Sequence, residues 1–325
     1  MSDWQLKTPV AFIIFNRPDT TERVFSEIAK AKPPKLLIVA DGPRPDRLGE
    51  AEKCLATRAI VERVDWRCEV LTNYSDVNLG CKNRVASGLD WVFEQVPEAI
   101  ILEDDCVPDP DFFRYCEIML MQYRTDTRIM MICGTNYLQC LPDLTESYFF
   151  TNYYPVWGWA TWKRAWKHYD IDIKAWDFLK KKRQLQWIFG NTKIPSYYEN
   201  MFELIPNGFD TWDIQWWFAC LFQHGLAIVP KGNLISNIGV CGTHADTQGD
   251  VHINMPTYSF DVNIRHPLFI TPDSVLSKLT YEHSHANLDL SLKTALNRKD
   301  YKRVIRAMIP DDLVRFLRNL AKYAK

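Results

Sequence analysis

No Gly-x-Gly-x-x-Gly or Gly-x-x-x-x-Gly-Lys-Ser loop follows any apolar run of this chain, which argues against a dinucleotide oxidoreductase or a P-loop ATPase. Its nine cysteines form no Cys-x-x-Cys pair, so no zinc or redox centre of that kind is expected and they read as buried thiols. No stretch reaches the roughly 18 apolar residues that cross a bilayer. An excess of one charge is missing too. With 39 Lys and Arg against 40 Asp and Glu, the formal net charge of −1 supplies no global field for nucleic acid, and none is expected as a partner. The opening residues lack a basic segment followed by an apolar stretch and a cleavage site, so a cytoplasmic address is expected. Internal repeats and low-complexity tracts are absent.

What is present is apolar: 325 residues, 47% apolar, 13% aromatic and 24% charged, exclude disorder, collagen and coiled coil. Short apolar runs at 10–15, 35–40, 68–71 and 99–102 alternate with helix-like segments at 20–31, 50–61 and 81–95. That rhythm predicts an α/β fold with a mixed, mostly parallel sheet flanked by helices. Aromatics crowd 148–166 and 209–222, and no Pro-, Gly- or Ser-rich linker sets them apart. One domain is therefore expected over 1–270, in halves 1–139 and 140–270, with a helical extension over 271–325.

In sheets of this kind ligands sit beyond the carboxyl ends of the strands. The residues found there are Asn16 and Arg17, Asp41 and Gly42, Asn73, and the run Glu103, Asp104 and Asp105. Three successive carboxylates repel unless something positive neutralises them, and oxygen-only ligands suit Mg²⁺ or Mn²⁺ completed by substrate phosphates. Capping of the next helix is the competing duty, and Asp109 or Asp111, beside Pro108 and Pro110, fits it better.

The segment LEDDCVPDPDFFRYC, followed by YYPVWGWATWKRAW, resembles the acidic motif and aromatic segment of the GT-A glycosyltransferases. The similarity is to the bacterial family-2-type nucleotide-diphospho-sugar transferases and the N-acetylglucosaminyltransferase I group, with matching segments in order from about Val10 to Thr243. The resemblance implies a GT-A (Rossmann-like) domain, with 1–139 the nucleotide-binding half and 140–270 the acceptor-side half. It implies metal-dependent transfer of a sugar, with inversion, from a nucleotide-sugar donor, UDP-linked, to a glycan or lipid-linked acceptor hydroxyl. Surface polysaccharide or lipopolysaccharide synthesis is the expected setting, and Mn²⁺ or Mg²⁺ the cofactor.

Carried over to this sequence, Asp105 becomes the metal ligand, and Glu103 and Asp104 contact ribose and donor sugar. Asn16 and Arg17 match the position that holds uracil or pyrophosphate, and Asp41 the acid that reads the nucleoside. A surface ion pair for Arg17 and ordinary Asp-Gly-Pro turn chemistry for Asp41 remain open. Lys82 and Arg84, entering a helix, are candidates to counter phosphate charge, with a solvated helix start as the other reading.

Inverting transfer needs a carboxylate to take the acceptor proton. Asp213 matches the family base in its Trp-Asp context, and Asp210 reads as the N-cap of the same helix, with Asp213 at its third position. A late histidine in this family can be a second metal ligand, and His244 is the candidate, a plain loop histidine being the other reading. Trp157 and Trp159 resemble the wall against which sugars stack, although Trp159, Trp162 and Trp166 could share one helical face and be core. In the tail, from Lys293 to Lys325, ten Lys or Arg oppose three Asp along an amphipathic helix that could rest on an anionic inner leaflet or pack on the domain. A sugar-phosphate nucleotidyltransferase and a non-catalytic glycan-binding protein are the rival functions.

Overall fold

The computed structural model of the chain describes residues 4–190, 193–239 and 252–285; His244 and the basic tail from residue 286 lie outside them. Strand β1 (Val10–Ile14) is five apolar residues, all buried, as a strand covered on both faces requires. Helix α1 (Pro18–Ala31) starts with Pro18 and Asp19, which fix φ and place negative charge at the helix N-terminus. Then come β2 (Lys35–Ala40), α2 (Glu50–Val61), β3 (Glu69–Tyr74), α3 (Gly80–Gln95) and β4 (Glu98–Glu103). The alternation expected for the first third is present in full.

Beyond β4 lie β5 (Cys106–Pro108), α4 (Pro110–Gln122), β6 (Ile129–Cys133), β7 (Tyr148–Thr151) and β8 (Trp159–Trp162). Asp109 caps α4, its carboxylate accepting the Asp111 N–H at 3.0 Å. The short helices α5 (Lys163–Trp166), α6 (Trp176–Lys181) and α7 (Gln184–Phe189) lead to α8 (Ile194–Leu204) and α9 (Asp213–Phe222). Strands β9 (Leu226–Pro230) and β10 (Ile235–Asn237) and helix α10 (Ser274–His285) complete the described chain.

The main sheet runs β3-β2-β1-β4-β8-β6-β9-β7. Strands β3, β2, β1 and β4 are mutually parallel, as are β6 and β9, whereas β8 and β7 run against their neighbours. The fold is mixed α/β around a largely parallel eight-stranded sheet flanked by helices. Alternate β1 side chains feed two cores. Ala11 and Ile13 belong to the core that holds Leu89 and Val92 of α3 and Trp216 of α9; Val10, Phe12 and Ile14 belong to the one that holds Val24 and Ile28 of α1 and Phe112 of α4. Each such fully buried large side chain contributes about 2 kcal/mol of apolar transfer.

The helical face suggested by the tryptophan spacing is not formed. Trp159 and Trp162 are the two ends of strand β8, and their odd separation sends them to opposite faces of the sheet. A separate antiparallel pair, β5 with β10, brings residue 237 beside residue 106. Strand order reverses at β1, with β2 on one side and β4 on the other, and in open α/β sheets that is where a crevice opens.

Candidate active site

The ends of β1 and β4 lie side by side, with Ile13 in register with Glu103. The Phe15 N–H therefore donates to Asp104 Oδ2 at 3.1 Å. Pro18 ends the β1 segment and turns the chain into α1, which holds Arg17 at its N-cap position. From there the guanidinium donates through Nη1 to Asp105 Oδ2 at 2.8 Å and through Nη2 to Asp104. The repulsion that points to a cation in the sequence is thus partly met by the protein's own Arg17. Burial opposes the guanidinium's charge, but the Asp104 and Asp105 carboxylates outweigh it and hold Arg17 above its ordinary range. Burial pushes both the Glu103 and Asp104 carboxyls up; the Asp105 charge adds to this at both, and Arg17 opposes it.

These groups line a cavity of about 420 Å³, within the size range of small-molecule sites. Asn16, Arg17, Asp41, Arg84, Glu103, Asp104, Asp105 and Trp157 all contribute to its wall. On the β2 side Asp41 is buried and bound by backbone, accepting from the N–H groups of Gly42 (2.9 Å), Leu79 (2.9 Å) and Gly80 (3.2 Å) and from Asn78 Nδ2 (3.0 Å). Burial raises its carboxyl and those backbone donors oppose the rise. Asp41 thus ties the end of β2 to the 78–80 loop within the cavity wall, and no turn forms at residues 41–44. Asn16 donates to Glu50 Oε1 at 2.9 Å, and Glu50 also accepts the Arg44 N–H at 2.7 Å, so Arg44 is held on the wall as well. The buried Arg84 donates to the Asn73 Oδ1 at 2.6 Å and to the Asn73 carbonyl at 3.0 Å.

The N-terminus of α3 is occupied by a side chain of the second half. Asp210 accepts from Cys81 N at 3.1 Å and Lys82 N at 2.7 Å, and a Cβ on Gly80, whose φ is +78°, would lie 2.8 Å from Asp210 Oδ2. This corrects the expected assignment: Asp210 caps α3, Trp212 is the N-cap of α9, and Asp213 is that helix's first residue. The Lys82 ammonium sits 3.6 Å from Asp172, off the cavity wall. Asp213 is half-buried and accepts from the Thr211 hydroxyl and, at 2.9 Å, from Ile214 N. It too lies off the wall, but its charge reaches Glu103 and Cys81, which are on it.

The two tryptophans separate. Trp157 lies on the wall against Tyr137, ring centroids 5.7 Å apart. Trp159 is fully buried and stacked on Trp212 at 5.6 Å, so it is core and not a sugar wall. Sequence reasoning missed Arg44, Asn78, Asn237, Gly239 and Ile253 of the wall. Arg44 sits in Asp-Gly-Pro-Arg-Pro just after β2, a signal that could have found it. Pairing of β10 with β5 delivers Asn237 and the residues just beyond it: Ile238 N donates to the Asp105 carbonyl at 2.8 Å, and a Cβ on Gly239 would lie 2.4 Å from Asp105 Oδ2. A side chain there would displace that carboxylate.

Comparison with family models and with curated proteins finds no match. Among solved structures the chain is similar to 4-diphosphocytidyl-2C-methyl-D-erythritol synthase from Anaerococcus prevotii. The identity is 11% over 69% of this chain and 88% of that one, with a TM-score of 0.35. It is also similar to the inositol-1-phosphate CTP transferase of T. maritima, at 11% identity over 72% of this chain and 90% of that one, TM-score 0.36. A third is UDP-glucose pyrophosphorylase complexed with UDP-glucose, at 8% identity over 71% and 93%, TM-score 0.32. These superpositions are loose, and the functional reading below rests on the site's own residues.

Proposed function

We propose that this chain is a metal-dependent glycosyltransferase, acting on the cytoplasmic side of a membrane in surface polysaccharide or lipopolysaccharide synthesis. It moves a sugar from a UDP-linked donor to a glycan or lipid-linked acceptor hydroxyl with inversion. The observation that carries the reading is the convergence of Glu103, Asp104, Asp105 and Arg17 on one cavity at the strand-order reversal. The α3 N-terminus, an obvious place for phosphate, is already filled by Asp210, which leaves diphosphate charge to Arg17 and to a cation that the acidic run would hold.

Among the described residues no group of three or more His, Cys, Asp or Glu is arranged to hold a metal. Mg²⁺ or Mn²⁺ asks for less: one or two protein carboxylates, with waters and substrate phosphates completing the shell. The oxygen donors Asp105 and Glu103 on the cavity wall fit that demand and would hold the ion. When bound it offsets several kcal/mol of charge on the departing nucleoside diphosphate. Arg17 supports the same charge from the β1 side, and Trp157 offers a flat face to sugar C–H surfaces.

Asp213 takes the proton from the acceptor hydroxyl as that oxygen bonds to the anomeric carbon, on the face opposite the breaking bond to diphosphate. Its hydrogen bonds to Thr211 and Ile214 fix the carboxylate's orientation at the start of α9.

The test is release of UDP from a panel of UDP-sugars, with and without Mn²⁺, by wild type, Asp105→Asn and Asp213→Asn. Asp105→Asn is expected to lose metal-dependent turnover by about a hundredfold or more, and Asp213→Asn to lose transfer while still binding UDP. Pyrophosphate release from UTP plus sugar phosphate would establish the nucleotidyltransferase instead. Full activity in both variants would remove the proposed site.

A further inference from the structure

Residues 163–193 carry nine Lys or Arg and three Asp, a local surplus in a chain of formal net charge −1. It is densest where α6 turns into α7: Lys180, Lys181, Lys182 and Arg183 are consecutive and all exposed. Arg183 takes a φ of 54° there, which reverses the chain into a short helical hairpin. Two aromatic side chains flank this basic turn, Phe178 at 62% exposure and Trp187 at 82%. The Lys182 ammonium lies 5.8 Å from the centre of the Phe178 ring.

The rings do not protrude because the hairpin is loosely held. Its inner side is fastened into the core through Trp176 and Leu185, both buried, with the Trp176 ring 5.1 Å from Phe202. A second tether is the 2.6 Å contact of Lys180 with Glu203 of α8. A single exposed aromatic needs no explanation. Two of them bracketing four consecutive cations combine the residues that enter the headgroup boundary with those that attract anionic headgroups. Single-stranded nucleic acid would use both kinds of residue, but base stacking needs a groove that tracks the strand, whereas these rings stand out from the surface.

We propose that the α6–α7 hairpin is a docking surface for an anionic lipid bilayer. Phe178 and Trp187 enter the headgroup boundary, and Lys181, Lys182 and Arg183 face lipid phosphates. The surface is independent of the sugar-transfer reading, because none of these residues lines the cavity and no readout below uses a donor.

The experiment is sedimentation of the full chain with vesicles of phosphatidylcholine alone, and with about a third phosphatidylglycerol, at low and high salt. Binding is expected on the anionic vesicles, at least about tenfold stronger than on the neutral ones and weakened by salt. Phe178→Ser with Trp187→Ser, and separately Lys181→Glu with Lys182→Glu, should each reduce it about tenfold with the melting temperature unchanged, since all four side chains are exposed. Wild type that ignores anionic vesicles overturns the proposal. So do variants that bind as wild type does, which would place the contact elsewhere. Binding of a single-stranded oligonucleotide, or self-association, lost in the same variants without any vesicle uptake would overturn it too.

Discussion

Arg17 reaches across from the end of β1 to donate to Asp105 at 2.8 Å, so the first helix and the acidic run are fastened at one point. The same guanidinium holds Asp104, whose side chain is 2% exposed. Removing it from one side leaves a buried carboxylate with the Phe15 N–H as its remaining named donor. Breaking a buried pair costs about 3 to 5 kcal/mol, and the 27% exposure of Arg17 places this one near the lower end. Arg17→Met is expected to lose about 3 kcal/mol, and Asp104→Asn in that background to recover more than half of it. A double-mutant cycle by urea unfolding checks this, and additive losses would refute the pairing.

Asp210 joins the second half of the chain to α3 through two backbone N–H groups. Asp210→Ala should cost about 1 to 2 kcal/mol, the worth of an N-cap, while Asp210→Asn keeps an acceptor and loses less. Because Asp210 also lines the cavity, the alanine variant should raise the donor KM more than it lowers kcat. Equilibrium denaturation beside steady-state kinetics separates the two effects; an unchanged stability would reject the capping role.

The two tryptophans of the Trp-Gly-Trp segment are expected to respond in opposite ways. Trp159→Ala empties a fully buried position and should cost about 3 to 5 kcal/mol. Trp157→Ala, on the cavity wall, should cost less than about 2 kcal/mol and show its effect as weaker substrate binding. Thermal unfolding and KM for the two variants decide it, and equal destabilisation would count against the separation.

Cys81 lines the cavity, and burial, followed by the Glu103, Asp213 and Asp210 carboxylates, pushes its thiol well above the ordinary range. Thiolate is therefore scarce at pH 8 and grows only as pH rises. Iodoacetamide should modify Cys81 in the folded protein at least about tenfold more slowly than a free cysteine at pH 8, with the gap narrowing at higher pH. Asp213→Asn removes one of the opposing charges and should speed the reaction. Mass spectrometry of the Cys81 peptide gives the rates, and fast labelling at pH 8 would contradict the assigned environment.

Strands β1, β2 and β4 were legible because each is an apolar run closed by a turn or by a helix with its own start signals, as Pro18 and Asp19 show for α1; β3, at the sheet edge, carries the sequence EVLTNY and only its first half stood out. The acidic run stood out because like charges at the end of a buried strand need a partner, although the sequence could not say that Arg17 is one. Asp210 was misread because local spacing sees only the following helix, whereas the N–H groups it accepts belong to residues 128 and 129 positions away. Trp159 and Trp162 were misread for a different reason: four residues are too few to distinguish a period of 2 from one of 3.6. Nothing in residue type marks Gly239, whose place beside Asp105 is set by a strand pair formed far along the chain.

Strand β8 enters the sheet between β4 and β6, against both of them. During synthesis β4, with Ile100 and Ile101, emerges long before the residues that will cover its second edge. The nascent chain thus passes through a stage with an unsealed apolar edge, the situation in which chaperones are recruited and truncated products clump.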